Sequence, residues 1–226
     1  MKILICGDSW TAEHNNIPAW PDYLIGHEIT NVAFRGAANN EICDKFFEYY
    51  KSANDFDLVI IGWSGCTRYR DSYHRMFEFC QMTPEVEEYY KDYTLDDFIH
   101  RWESYIDKII FHSNVPVLQF SVFGDKTYQK YDNFLSKSYF EWLAEMQGTK
   151  FKYDMPIFEF DWLCDPNYNF IKKFAKTNFP KQWERACVER ELIRPSECFQ
   201  DCGHPNKRGQ KKFGEYMLEL INDKFS

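Results

Sequence analysis

The chain has 226 residues, enough for one well-buried core, and its 35 acidic against 27 basic side chains give a net charge of −8 and a pI near 5.3. The basic residues are scattered rather than blocked, which argues against nucleic acid or an anionic membrane surface as the main partner. No run approaches the roughly 20 apolar residues of a spanning helix, and the opening apolar run of about four residues is short of a secretory signal, so a cytoplasmic protein, or one released without a signal peptide, is the expectation.

The first apolar run, residues 2–7, ends in Gly7-Asp8-Ser9-Trp10. Such a run, bounded by a turn, reads as a buried parallel strand that delivers the Ser9 hydroxyl to the carboxyl end of a sheet, where open α/β folds bind their ligands. A polar loop leads to a short helix over 18–24, with proline near its first turn and Trp20, Tyr23 and Leu24 as its apolar face. Residues 28–34 read as a second strand and Gly36 as a turn. Asn39 or Asn40 is then the expected cap of a helix over 41–52 that carries Ile42, Phe46, Phe47 and Tyr50 at helical spacing.

The clearest strand is 56–64, whose β-branched run suits a strand covered on both faces. The alternation breaks over about 65–93, expected as irregular structure or short helices above the sheet's carboxyl edge. Thr94-x-x-Asp97 then opens a helix with Phe98, Trp102, Tyr105, Ile106, Ile109 and Ile110 on one face. A strand over 115–122, a helix over about 134–146 and a last short strand over 156–160 follow. The long segment 161–200 is of the kind that carries specificity or forms a lid, and an amphipathic helix from 206 or 207 to about 224 ends the pattern, with Phe213, Tyr216, Met217, Leu220 and Ile221 as its apolar face.

Strands alternating with helices imply the α/β class: a three-layer α/β/α sandwich around a central parallel sheet of about five strands. Without an internal repeat or a linker, the expectation is a single domain over 1–226 with insertions at about 65–93, 125–155 and 161–200. With 21 Phe, 15 Tyr and 7 Trp, a core packed with rings is the plain reading, ahead of a stacking surface for sugars or bases.

The eight cysteines form no dense framework, and most read as reduced thiols. Cys198-x3-Cys202-x-His204 offers three candidate metal ligands, but a structural zinc site usually brings two close pairs; a Cys198–Cys202 disulfide is a further alternative. No metal and no organic cofactor are expected.

Chemistry-bearing residues stand at the two ends of the chain. A serine hydroxyl is a poor nucleophile until a base takes its proton, and an imidazole does this near neutral pH. Besides Ser9, the chain offers Asp201-Cys202-Gly203-His204-Pro205-Asn206: His204 as the base, and Asp201, three residues earlier, as the carboxylate that holds its ring. Plainer roles stand beside these. Asp8 is favoured in turns and would cap one, His204 would merely lead into the last helix with Asn206 as N-cap, and Trp63 would be a core or pocket-wall ring. His14, His27, His74, His100 and His112 show no partner pattern and read as ordinary histidines.

These blocks resemble those of the SGNH hydrolases, the GDSL-type esterase and lipase superfamily. Gly7-Asp8-Ser9 after strand one matches the first block, Asn31 to Gly36 the second, and Asp201-x-x-His204-Pro205-Asn206 before the final helix the fourth and most specific. The third departs: Gly62-Trp63-Ser64-Gly65 stands in place of Gly-x-Asn-Asp, so Ser64 occupies the position of the oxyanion-hole asparagine. The resemblance implies a flavodoxin-like fold and a triad of Ser9, His204 and Asp201. It also implies an oxyanion hole made of the Ser9 and Gly36 N–H groups, with Ser64 as third donor and Asn39, Asn40 or Arg68 as substitutes.

Trp10, Trp63, Asn39 and Arg68 are the candidate substrate contacts. The implied activity is that of a serine esterase acting through an acyl-enzyme on a small-molecule or glycan ester, such as a small acyl group on a carbohydrate. A non-catalytic carbohydrate- or protein-binding module on the same fold and an acyltransferase using the same triad are the alternatives, and the oligomeric state stays open.

Overall fold

The computed structural model describes residues 1–14, 16–51, 55–65, 68–70, 76–77, 92, 94–122, 130–146, 148, 198 and 204–225. Among these residues, four parallel strands, β1 (Lys2–Gly7), β2 (Glu28–Asn31), β3 (Leu58–Trp63) and β6 (Val117–Ser121), form one sheet in the order β2-β1-β3-β6. β4 (Tyr69–Arg70) and β5 (Met76–Phe77) form a separate antiparallel pair. The register sets Gly7 opposite Gly62, so β1 and β3 end side by side and their outgoing turns share the carboxyl edge.

Alternation along each strand explains the layers. Ile3 and Ile5 of β1, Leu58 and Ile60 of β3, and Leu118 and Phe120 of β6 pack on one face, against α3 (Tyr139–Met146), α4 (Lys207–Phe225) and the 3-10 turn Trp20–Tyr23. Leu4, Cys6, Val59, Ile61 and Trp63 point the other way, onto α1 (Asn39–Tyr49) and α2 (Leu95–His112). Strands buried on both faces need unbroken apolar runs, which is what β1 and β3 supply. The result is a three-layer α/β/α sandwich around a parallel sheet. Among the described residues, no helix is long and apolar enough to cross a membrane.

Several boundaries differ from the sequence reading for local reasons. The third helix begins at Tyr139 rather than near 134, because Phe134 bridges Gln119 on the edge of β6 and the Leu135 N–H donates to the Gln119 carbonyl at 2.8 Å. Ser138 caps it: its Oγ accepts from the Glu141 N–H at 3.1 Å, and the Glu141 carboxylate accepts from the Ser138 N–H at 2.9 Å. The N-cap of α1 is Ala38, whose N–H donates to Glu41 at 2.8 Å, and not an asparagine. Phe47 and Ile110 turn outward, while Cys43 joins Ile42 and Phe46 in the buried stripe of α1.

The expected strand at 156–160, the segment 161–200 apart from Cys198, and most of the residues of the three expected insertions taken together lie outside the described residues. Cys6, Cys43 and Cys198 are buried and form no disulfide among the described residues, while Cys202, the partner weighed for a disulfide or a metal, lies outside them. Burial pushes the Cys6 and Cys43 thiols up, Cys43 to about 12, so both stay neutral thiols rather than nucleophiles.

Candidate active site

At the end of β1 the chain turns sharply: the Asp8 carbonyl accepts from the N–H groups of Thr11 (3.0 Å) and Ala12 (2.9 Å). Asp8 Oδ1 also accepts the Trp10 N–H at 3.0 Å, the turn-capping role its residue type favours. Ser9 sits at the apex of this turn, 5% exposed.

From the other end of the chain, Asn206 starts α4: its Oδ1 accepts the Gly209 N–H at 3.0 Å, and its own N–H donates to the Cys198 carbonyl at 2.8 Å. A Cβ on Gly209 would lie 2.3 Å from that carbonyl, so only glycine lets the helix seat there. His204, just ahead, brings its Nε2 to 2.8 Å from Ser9 Oγ, a contact between residues 195 positions apart. With the ring proton on Nδ1, the Ser9 hydroxyl donates to Nε2. Asp201 lies outside the described residues.

Two side-chain amides, one buried and one exposed, lock these parts together. Gln210, on the apolar stripe of α4, accepts at Oε1 from the Trp20 N–H (2.8 Å) and the Tyr139 hydroxyl (3.0 Å), and donates from Nε2 to the Trp10 carbonyl at 3.2 Å. One amide thus ties the helix behind His204 to the turn that carries Ser9. Asn31, at the end of β2, donates to the Thr11 carbonyl at 3.0 Å on the other side of that turn. Gln210→Leu would leave two donors and an acceptor unpaired in the core. At about 1–3 kcal/mol for each such group, partly relieved by relaxation, the expected loss is about 2–4 kcal/mol in a denaturant titration; a loss under about 0.5 kcal/mol contradicts the clasp.

Asn39 and Asn40 sit in the first turn of α1 and hold the turn after β3. Asn39 Oδ1 accepts the Ser64 N–H at 3.0 Å, its Nδ2 donates to the Gly65 carbonyl at 2.9 Å, and its N–H donates to the Arg68 carbonyl at 3.0 Å. Asn40 pairs with both backbone groups of Arg70. Within that turn Ser64 is buried, and its Oγ accepts from Arg68 Nη1 at 3.1 Å. The same guanidinium nitrogen lies 3.7 Å from Asp8 Oδ2, so a buried ion pair joins the β3 turn to the residue before Ser9. Gly36 has φ +75°, a backbone conformation that favours glycine, and nothing lies within 4 Å of where its Cβ would be. Its carbonyl accepts from Arg70 Nη2 at 3.4 Å, and Arg70 is itself paired with Glu41 at 2.8 Å.

The candidate substrate contacts divide. Trp63 is fully buried against Trp102, with Nε1 donating to Gln119 at 2.7 Å; a ring so enclosed builds the core and does not meet a ligand. Asn39 is equally buried, and its amide is committed to the Ser64 turn. Trp10 packs edge-on to Tyr139 and Phe140 with its ring 6.1 Å from that of His204, so it packs beside the imidazole. Arg68 stays at the site through Ser64 and Asp8.

His14, unremarkable in the sequence, stacks on His204 with ring centroids 4.3 Å apart and planes 6° from parallel. No local pattern announces that contact, because its partner is 190 positions away. Gln210 did leave a signal: a polar residue in step with Phe213, Met217 and Ile221 needs buried partners. Among the described residues, no group of three His, Cys, Asp or Glu side chains could hold a metal ion.

No family model matches the chain, and no curated protein does. Among solved structures, it is similar to a lipase/acylhydrolase from Enterococcus faecalis at 14% identity and a TM-score of 0.45, over 99% of this chain and 96% of that one. A catalytic mutant of an acetylxylan esterase from Geobacillus stearothermophilus is similar at 12% identity and a TM-score of 0.43, over 100% and 94%. A lipolytic G-D-S-L family member from Veillonella parvula is similar at 10% identity and 0.43, over 99% and 97%. The fold rests on the sheet order and its two covering layers, which give the α/β/α sandwich that the SGNH resemblance implies.

Proposed function

We propose that the chain is a serine esterase in which Ser9 is the nucleophile and His204 the general base. The observation that carries this reading is the 2.8 Å contact between Ser9 Oγ and His204 Nε2 at the carboxyl end of a parallel sheet. In the reaction, Ser9 Oγ bonds to the ester carbonyl carbon while its proton passes to Nε2. The tetrahedral species collapses as the bond to the alcohol oxygen breaks, and Nε2–H protonates that oxygen. Water then attacks the acyl carbon and gives a proton to Nε2. As the bond to Ser9 breaks, that proton returns to Oγ and the acid leaves.

Asp201, three residues before the base, is assigned to hold Nδ1–H and so to fix the tautomer. The oxyanion is assigned to the N–H groups of Ser9 and Gly36, with the Arg68–Ser64 pair supplying the third donor. Because Ser64 Oγ already accepts from Arg68, its own proton is left to donate, and the guanidinium polarises it. The small exposure of Ser9 favours a short acyl group, and the acid-rich surface favours a polar, uncharged alcohol such as a sugar over an anionic one.

The experiment is stopped-flow hydrolysis of p-nitrophenyl acetate beside longer-chain esters. The expected result is a p-nitrophenol burst matching the enzyme concentration and a preference for acetate; a folded protein that releases nothing above the buffer rate ends the esterase reading.

A further inference from the structure

The feature that the chemistry above does not use is His14. It is 8% exposed, and its Nδ1 is buried with no hydrogen-bond partner among the described residues. A short bridge holds it: the Ile17 N–H donates to the His14 carbonyl at 3.0 Å, and the chain returns through Asn16 at φ +60°. This staple stands on the loop directly after the Ser9 turn, so a single stretch of chain carries both the nucleophile and a flat ring against the base. The rings of His14 and His204 lie face to face, 4.3 Å apart and 6° from parallel.

Building on the esterase reading, we propose that His14 is a positioning residue for the catalytic base: its uncharged ring fixes the plane of His204 with Nε2 aimed at Ser9, and its π face steadies the imidazolium that forms during acylation. Two physical points support the role. A base must be held within a few tenths of an ångström and about 10–20° of its working geometry, and a parallel ring restricts rotation out of plane where an aliphatic side chain would not. A cation against a neutral aromatic face is attracted, whereas two stacked imidazoliums repel, so His14 must stay neutral while His204 cycles. Among the described residues, the charged and titratable groups that face it are His204 and Arg35, and burial together with the Arg35 charge lowers its pKa below the ordinary histidine value.

The test pairs kinetics with NMR. His14→Leu is expected to lower kcat about 10-fold with KM within about twofold, and His14→Phe, which restores a flat ring that cannot ionise, to recover most of that loss. In the unmodified protein, 15N-labelled imidazoles are expected to show cross-ring contacts between His14 and His204, with His14 taking up its proton only at a lower pH than an ordinary histidine; this arm holds even if the leucine variant fails to fold. Unchanged kcat in His14→Leu, a phenylalanine variant no better than leucine, or a His14 that titrates at the ordinary value each overturns the role. An unmodified protein with no esterase activity instead removes the reading on which the role rests.

Discussion

Ser9→Ala is expected to lower ester turnover by about 10⁴- to 10⁶-fold while changing stability by less than about 1 kcal/mol. The two effects separate because the hydroxyl makes one described contact, to His204, at the rim of the sheet rather than in the apolar layers. The turn that carries it is built from backbone bonds to the Asp8 carbonyl and from the Asp8 side chain, none of which needs the hydroxyl. His204→Gln should cost a comparable factor, and the double variant little more, because nucleophile and base act as one unit. Residual activity well above the background, with substrate still saturating, is the expected remainder from the oxyanion donors. A Ser9→Ala variant with turnover within 10-fold of the unmodified protein would move the proposed chemistry to another residue.

Arg68→Leu has the second large expected effect, and it acts on stability and turnover together. The guanidinium is nearly enclosed, 3.7 Å from a fully buried Asp8 carboxylate. Removing one partner of a buried pair leaves the other charge in a medium that solvates it poorly, at a cost of about 3–5 kcal/mol. Thermal unfolding should register a fall of about 10 °C or more for a domain of this size. The same change strips the donor from Ser64 Oγ and, if the pair supplies the third oxyanion contact, lowers kcat by about 10²-fold in protein that remains folded. Arg68→Lys keeps the charge but loses the rigid, planar guanidinium that holds Nη1 against both Asp8 and Ser64, so it should recover more of the stability than of the rate. Ser64→Ala isolates the catalytic part, since it deletes the hydroxyl and leaves the ion pair. A Ser64→Ala variant with unchanged kcat would remove Ser64 from the oxyanion hole and leave Arg68 with a structural role alone.

Much of the scaffold was legible because it depends on local patterns. The apolar runs of β1 and β3, the Thr94-x-x-Asp97 start of α2 and the spacing of Phe213, Met217 and Ile221 in α4 each state a periodicity or a cap within a few residues. Boundaries failed where a distant partner competed with a local preference. Phe134 and Leu135 have helical company downstream but are taken by the edge of β6. Asn39 and Asn40 have the right type to cap α1, yet their amides are engaged by residues 64–70, and a neighbouring glutamate caps the helix through Ala38.

The candidate site divides in the same way. Ser9 and His204 stand out in the sequence because motifs flank each of them, and Ser64 stands out as a departure from one. The way Arg68 joins Ser64 to Asp8, the His14 stack and the Gln210 clasp are tertiary facts: each joins segments that no window of sequence holds together. Trp63 misled because an aromatic at a strand end suits a pocket wall as well as a core, and only the packing against Trp102 and Gln119 decides.

The most direct measurement is labelling of the intact protein with a fluorophosphonate, followed by peptide mass spectrometry. An activated serine attacks the phosphorus and expels fluoride, leaving a stable adduct on Oγ. The account predicts one adduct per chain, on Ser9, lost in Ser9→Ala and slowed by orders of magnitude in His204→Gln. Folded protein that takes up no probe, or carries the adduct on a different serine, contradicts it.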